Sequence, residues 1–67
     1  MEPKVGQIWR YATPFDNGET VYEYIFITGI KSNGHAVHYF SFDDPERPVW
    51  DYAQSFVENK SYEFVSG

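Results

Sequence analysis

Val21-Tyr22-Glu23-Tyr24-Ile25-Phe26-Ile27-Thr28-Gly29-Ile30-Lys31 is the stretch on which the fold turns. β-Branched and aromatic residues dominate it, the types that suit a pleated, half-buried surface. At a period of two, Val21, Ile25 and Ile27 share one face, and Tyr22, Tyr24, Phe26, Thr28 and Ile30 share the other. Apolar groups on both faces predict a strand covered on both sides, or one that bends and serves two halves of a barrel. Gly29, inside the run, is where such a bend is expected.

Turn signals bracket this strand. Asp16-Asn17-Gly18 precedes it and Asn33-Gly34 follows it, and Asn-Gly between apolar runs is the strongest short-range hairpin sign. On the N-terminal side, Val5 to Tyr11 alternates as a first strand, with Val5, Gln7, Trp9 and Tyr11 on one face. On the C-terminal side, His35 to Phe42 sets Ala36, His38, Phe40 and Phe42 against His35, Val37, Tyr39 and Ser41. Asp43 to Pro48 reads as a polar loop whose two prolines argue against a central strand. Val49 to Tyr52 is then a short fourth strand and Tyr62 to Val65 a fifth, after a turn at Glu58-Asn59-Lys60-Ser61. Between them Ala53, Phe56 and Val57 stand at i, i+3 and i+4, one turn of helix and too short to stand alone. The expectation is an all-β chain: a five-stranded SH3-like small barrel with one short helical turn before the last strand. An OB-type barrel has the same strand count but usually needs a longer chain.

The totals agree with a single domain over residues 1–67. A domain of about 60 residues buries only about 60% of its unfolded surface, so large side chains must fill its core. Six Tyr, six Phe and two Trp supply them. About eight buried rings would fill a core this small, which leaves the rest for a surface cluster. There is no cysteine, which points to a reducing cytoplasm, and no apolar run long enough to span a bilayer. The opening MEPKVGQ has no leader-like apolar run, and the whole reads as a complete small gene product. Ten acidic residues against five basic ones give a net charge of −5. The bases Lys4, Arg10, Lys31, Arg47 and Lys60 are scattered, whereas nucleic-acid binding needs several phosphates neutralised together. Direct nucleic-acid binding is therefore not expected.

Several segments resemble those of short uncharacterised bacterial and phage proteins with SH3-like barrels. They are Val5-Gly6-Gln7-Ile8-Trp9-Arg10-Tyr11, Tyr24 to Ile30, Ala36-Val37-His38-Tyr39, Val49-Trp50 with Phe56, and the closing Tyr62-Glu63-Phe64. The resemblance spans most of the chain and implies the barrel fold, but fold alone assigns no function. The Ala-Leu-Tyr-Asp-Tyr signature of peptide-binding SH3 domains is absent, so polyproline binding is not implied.

No catalytic constellation or cofactor motif is read. His35 and His38 are three apart on a strand, hence on opposite faces, and cannot converge on one metal without a bulge. Asp43, Asp44 and Glu46 crowd one loop without the alternate spacing and central glycine of a calcium loop, so they read as a solvated acidic segment. The surplus of Tyr and Trp is the informative feature, because these side chains anchor protein interfaces. The expected partner-binding residues are Tyr22, Tyr24, Tyr39, Trp50 and Tyr52, with Asp43, Asp44 and Glu46 around them and Arg47 as a contact or a neutralising charge.

Two functions follow as expectations. The first is a non-enzymatic interaction module for a protein with a basic surface. Its sharper form is a phage-type inhibitor of a host nucleic-acid enzyme, with carboxylates standing in for phosphates. The second is a reader of methylated Lys or Arg, or of another small ligand, through an aromatic cage built from Tyr22, Tyr24, Trp50 and Asp51. An open sheet edge would also leave room for a homodimer.

Overall fold

The structure, a computed structural model, describes residues 2–67. Its strands are β1 (Ile8–Pro14), β2 (Thr20–Lys31), β3 (Ala36–Ser41), β4 (Asp44–Tyr52) and β5 (Tyr62–Ser66), with one helix, α1 (Ala53–Glu58), between the last two. All five strands lie in one antiparallel sheet of order β4-β3-β2-β1-β5.

β2 serves both halves of the sheet, as its two apolar faces foretold. Thr20 to Phe26 pair with β1, and Ile25 to Lys31 pair with β3. The bend is a bulge: Ile27 opposes Tyr39 while Gly29 opposes His38, so Thr28 is the extra residue. A bulge reverses the alternation of everything beyond it. Ile30, expected opposite Ile25 and Ile27, consequently packs against the same core.

That core consists of Trp9, Ile25, Ile27, Val37, Phe56 and Tyr62. Phe56 comes from α1, stacks on Tyr62 at 4.1 Å and meets Trp9 edge-on at 5.3 Å. Val57, its helical neighbour, stays exposed. Gln7 is buried beside the core, where its Oε1 accepts hydrogen bonds from the Trp9 indole at 3.0 Å and the Lys4 amide at 2.7 Å. One buried acceptor thus satisfies a core tryptophan. Val5, expected on the same face, is exposed in the turn before β1.

The backbone ladder does not close, so the sheet is open where a barrel was expected. Its two edge strands nevertheless meet through side chains: the Tyr62 hydroxyl of β5 donates to Asp51 Oδ2 of β4 at 2.8 Å. The sheet is therefore curled enough to bring opposite edges within one hydrogen bond, with α1 carrying the chain from one edge to the other.

The expected polar loop needs correction. Asp43 to Pro48 is not wholly a loop, since β4 already starts at Asp44 and includes both Pro45 and Pro48. It can do so because β4 is an edge strand, and because the pairing slips between Tyr39↔Val49 and Ser41↔Asp44, leaving the prolines outside the regular ladder. The β2–β3 hairpin, by contrast, turns at Asn33-Gly34 as expected, with Lys31 pairing Ala36 across it. Ser32 and Asn33 take φ of 55° and 57°, and the Gly34 amide donates back to the Lys31 carbonyl. Two left-handed central residues match the right-handed twist of the flanking strands.

Candidate functional site

β2 and β3 place one row of side chains inward and the next outward, and the two rows differ in chemistry. The face away from the core is aromatic. Phe26, Phe40 and Phe42 form a triangle with ring centroids 5.5 to 6.4 Å apart. Trp50 and Tyr52 sit on β4 with rings 5.2 Å apart, opposite His38 and Ala36 respectively. At the far side Arg10 lies over the Tyr22 ring at 4.1 Å, opposes Tyr24 in register, and pairs with Glu63 at 3.2 Å. Exposure reaches 49% at Phe42, 52% at Trp50 and 60% at Tyr52, and 41% at Tyr22 and Tyr24. Asp43, Asp44 and Glu46 are exposed in the segment that follows Phe42. Arg10–Glu63 is the one ion pair among the described residues, so these three carboxylates and Arg47 are unpaired there.

The inward row ends in a different arrangement. All five strands contribute to a cleft of about 200 Å³: Tyr11 from β1, Glu23 and Ile25 from β2, Tyr39 from β3, Asp51 from β4 and Tyr62 from β5, with Asn59 beside them. Register explains the convergence, because Tyr11 opposes both Glu23 and Tyr62. The Tyr11 and Tyr62 rings meet edge-on at 4.9 Å. Since the Tyr62 hydroxyl proton is committed to Asp51, the 3.4 Å contact between the Tyr39 and Tyr62 hydroxyls has Tyr39 as donor. Asp51 Oδ1 also accepts the Tyr52 amide at 2.7 Å. Burial, reinforced by the hydrogen bond that Tyr62 donates to Asp51, holds the Tyr62 phenol far above the ordinary tyrosine range. Burial likewise raises Tyr39. Both phenols stay neutral at physiological pH, and the cleft's charge comes from its carboxylates.

A second hollow of about 170 Å³ adjoins it, sharing Glu23 and Tyr39 and adding Ser41, Asp44, Arg47 and Val49. The largest hollow, about 430 Å³, lies elsewhere, between the β2–β3 hairpin and α1, and Glu2 is its single charged lining residue.

The expected binding residues thus divide between two faces. Tyr22, Tyr24, Trp50 and Tyr52 share the outward face, whereas Tyr39, Asp44 and Arg47 line the inward hollows. The cage of Tyr22, Tyr24, Trp50 and Asp51 is not assembled. Asp51 turns inward to Tyr62 while its neighbour Trp50 turns outward, and β3 and the Phe triangle separate Trp50 from Tyr22 and Tyr24. Sequence reading missed the triangle and the cleft's Tyr11, Glu23 and Tyr62. The alternation of β3 already paired Phe40 with Phe42, but the cleft depends on how far the sheet curls.

His35 sits exposed in the hairpin turn and His38 half-buried on the outward face. Among the described residues, no three His, Cys, Asp or Glu side chains gather to hold a metal ion, and no helix is long and apolar enough to cross a membrane. No family model, curated protein or solved structure matches the chain.

Proposed function

We propose that the chain is a small, non-enzymatic interaction module of SH3-like architecture whose partner is a protein with a basic surface. The observation that carries this reading is the exposure of Phe42, Trp50 and Tyr52 in a chain that also exposes the unpaired carboxylates Asp43, Asp44 and Glu46. Desolvated aromatic anchors supply affinity at an interface, and a rim of one charge sign selects the partner and speeds encounter. With a net charge of −5 the whole molecule attracts cationic surfaces and repels nucleic acid. A sharper form of the proposal makes the partner a nucleic-acid-binding host protein, as for a phage-type modulator, with the carboxylates occupying its phosphate sites. A reducing cytoplasm suits a cysteine-free chain of this kind.

The experiment is affinity capture from bacterial lysate with wild type, with Trp50→Ala, and with Asp43→Asn, Asp44→Asn and Glu46→Gln combined. A stoichiometric partner, released by raised salt and weakened by both variants, is the expected result. Capture that is indifferent to the triple neutralisation and to salt would refute the electrostatic reading.

A further inference from the structure

The tyrosine cleft between the sheet edges has the wrong chemistry for an anion and the right chemistry for a cation. We infer that it receives one cationic, N–H-bearing side chain, a lysine ammonium or an arginine guanidinium, from a basic protein segment. The inference rests on the reading that the partner is basic, and assigns to this cleft the recognition of a single residue.

Three observations support it. First, Tyr11, Tyr39 and Tyr62 surround the space, and tyrosine rings attract cations through the negative potential of their π faces. Second, Glu23 and Asp51 line the same space with no basic residue among its lining, and neither has a cationic partner among the described residues. Third, two of the three hydroxyl protons are already used: Tyr62 donates to Asp51 and Tyr39 donates to Tyr62. The phenol oxygens and both carboxylates are left with lone pairs, so apart from the Tyr11 hydroxyl and the Asn59 amide the cleft offers acceptors. A ligand that brings N–H donors and positive charge satisfies them, whereas a carboxylate or phosphate meets like charge.

Size narrows the class. A cleft of about 200 Å³ is smaller than the roughly 300–1,000 Å³ of sites that enclose drug-sized ligands. It suits the end of a side chain. The adjoining hollow, which shares Glu23 and Tyr39, gives the neighbouring part of a bound segment a path toward Asp44.

The test is an NMR titration of the isotopically labelled full chain with end-blocked Gly-Lys-Gly and Gly-Arg-Gly, and with the same peptide carrying norleucine or trimethyl-lysine. Saturable shifts of the Tyr11 and Tyr39 ring signals with the lysine or arginine peptide are expected, with the stronger of the two naming the residue. Glu23→Gln, at an exposed position, should weaken that binding by about 2–5-fold, the range of a part-exposed ion pair. Norleucine should leave the signals in place, and trimethyl-lysine, which keeps the charge but lacks donors, should bind more weakly. Equal shifts with norleucine, tighter binding of trimethyl-lysine, or no shift with either basic peptide would each overturn the inference. If a captured basic partner still binds Glu23→Gln as tightly as wild type, the cleft is refuted while the interaction module stands.

Discussion

Replacing Tyr62 by Phe removes one oxygen atom and keeps the ring that stacks on Phe56, so it deletes the contact joining the two sheet edges together with the longer 3.4 Å one from Tyr39. A hydrogen bond to a charged acceptor contributes about 1.5–3 kcal/mol, and its loss is softened here because half-buried Asp51 regains water. The expected loss is about 1–2 kcal/mol, and for a domain of this size each kcal/mol lowers Tm by about 4–8 °C. Urea and thermal unfolding monitored by tryptophan fluorescence give both quantities. A pH series supplies an independent reading. The folded-state pKa of Tyr62 is raised, so its contribution is complete below the unfolded value of about 10 and declines as pH rises beyond it. Above that pH the unfolded phenol has lost its proton and the folded one has not. Stability therefore falls with a limiting slope of about 1.4 kcal/mol per pH unit for each such tyrosine. Tyr39, raised in the same direction, adds its own slope. Tyr62→Phe should remove one share of this alkaline decline, and Asp51→Asn should couple to it in a double-mutant cycle. A variant as stable as wild type, with an unchanged slope above pH 10, would refute the view that this contact holds the edges together.

Other outcomes follow from single contacts. Gln7→Leu keeps the bulk but leaves the buried Trp9 indole and the Lys4 amide without their acceptor, so a loss of about 1–3 kcal/mol in urea unfolding is expected. Phe56→Ala removes the one helix side chain in the core and should lose about 3–5 kcal/mol, enough to unfold much of so small a domain, as read by loss of near-UV circular dichroism. Ser32→Gly relieves a left-handed φ of 55° in a turn, and should raise stability by up to about 1 kcal/mol in thermal unfolding.

Much of the strand framework is legible from alternation and turn chemistry alone. β2 shows its double duty through apolar residues on both faces, and the hairpin signals and the lone helical turn fall where Gly, Asn and the i, i+3 spacing put them. What stays hidden depends on tertiary context. Proline is tolerated in β4 because that strand lies at an edge, and edge position is a property of the whole sheet. The bulge at Thr28 adjoins Gly29, where a bend was expected, but that it carries Ile30 to the core face is decided by the pairing with β3. The proposed cage fails for a reason that was available: Trp50 and Asp51 are adjacent on a strand and so must point apart. The cleft gathers residues from all five strands, and only the curl of the sheet brings them together.

The most direct test of the account maps the bound surface itself, by cross-saturation NMR on the labelled chain in complex with its captured basic partner. The account predicts attenuation at Phe42, Trp50 and Tyr52 on the outward face and at Tyr11 and Tyr39 in the cleft. Attenuation confined to the Asp16-Asn17-Gly18 hairpin, or to the hollow beside Glu2 and Gln54, would contradict it.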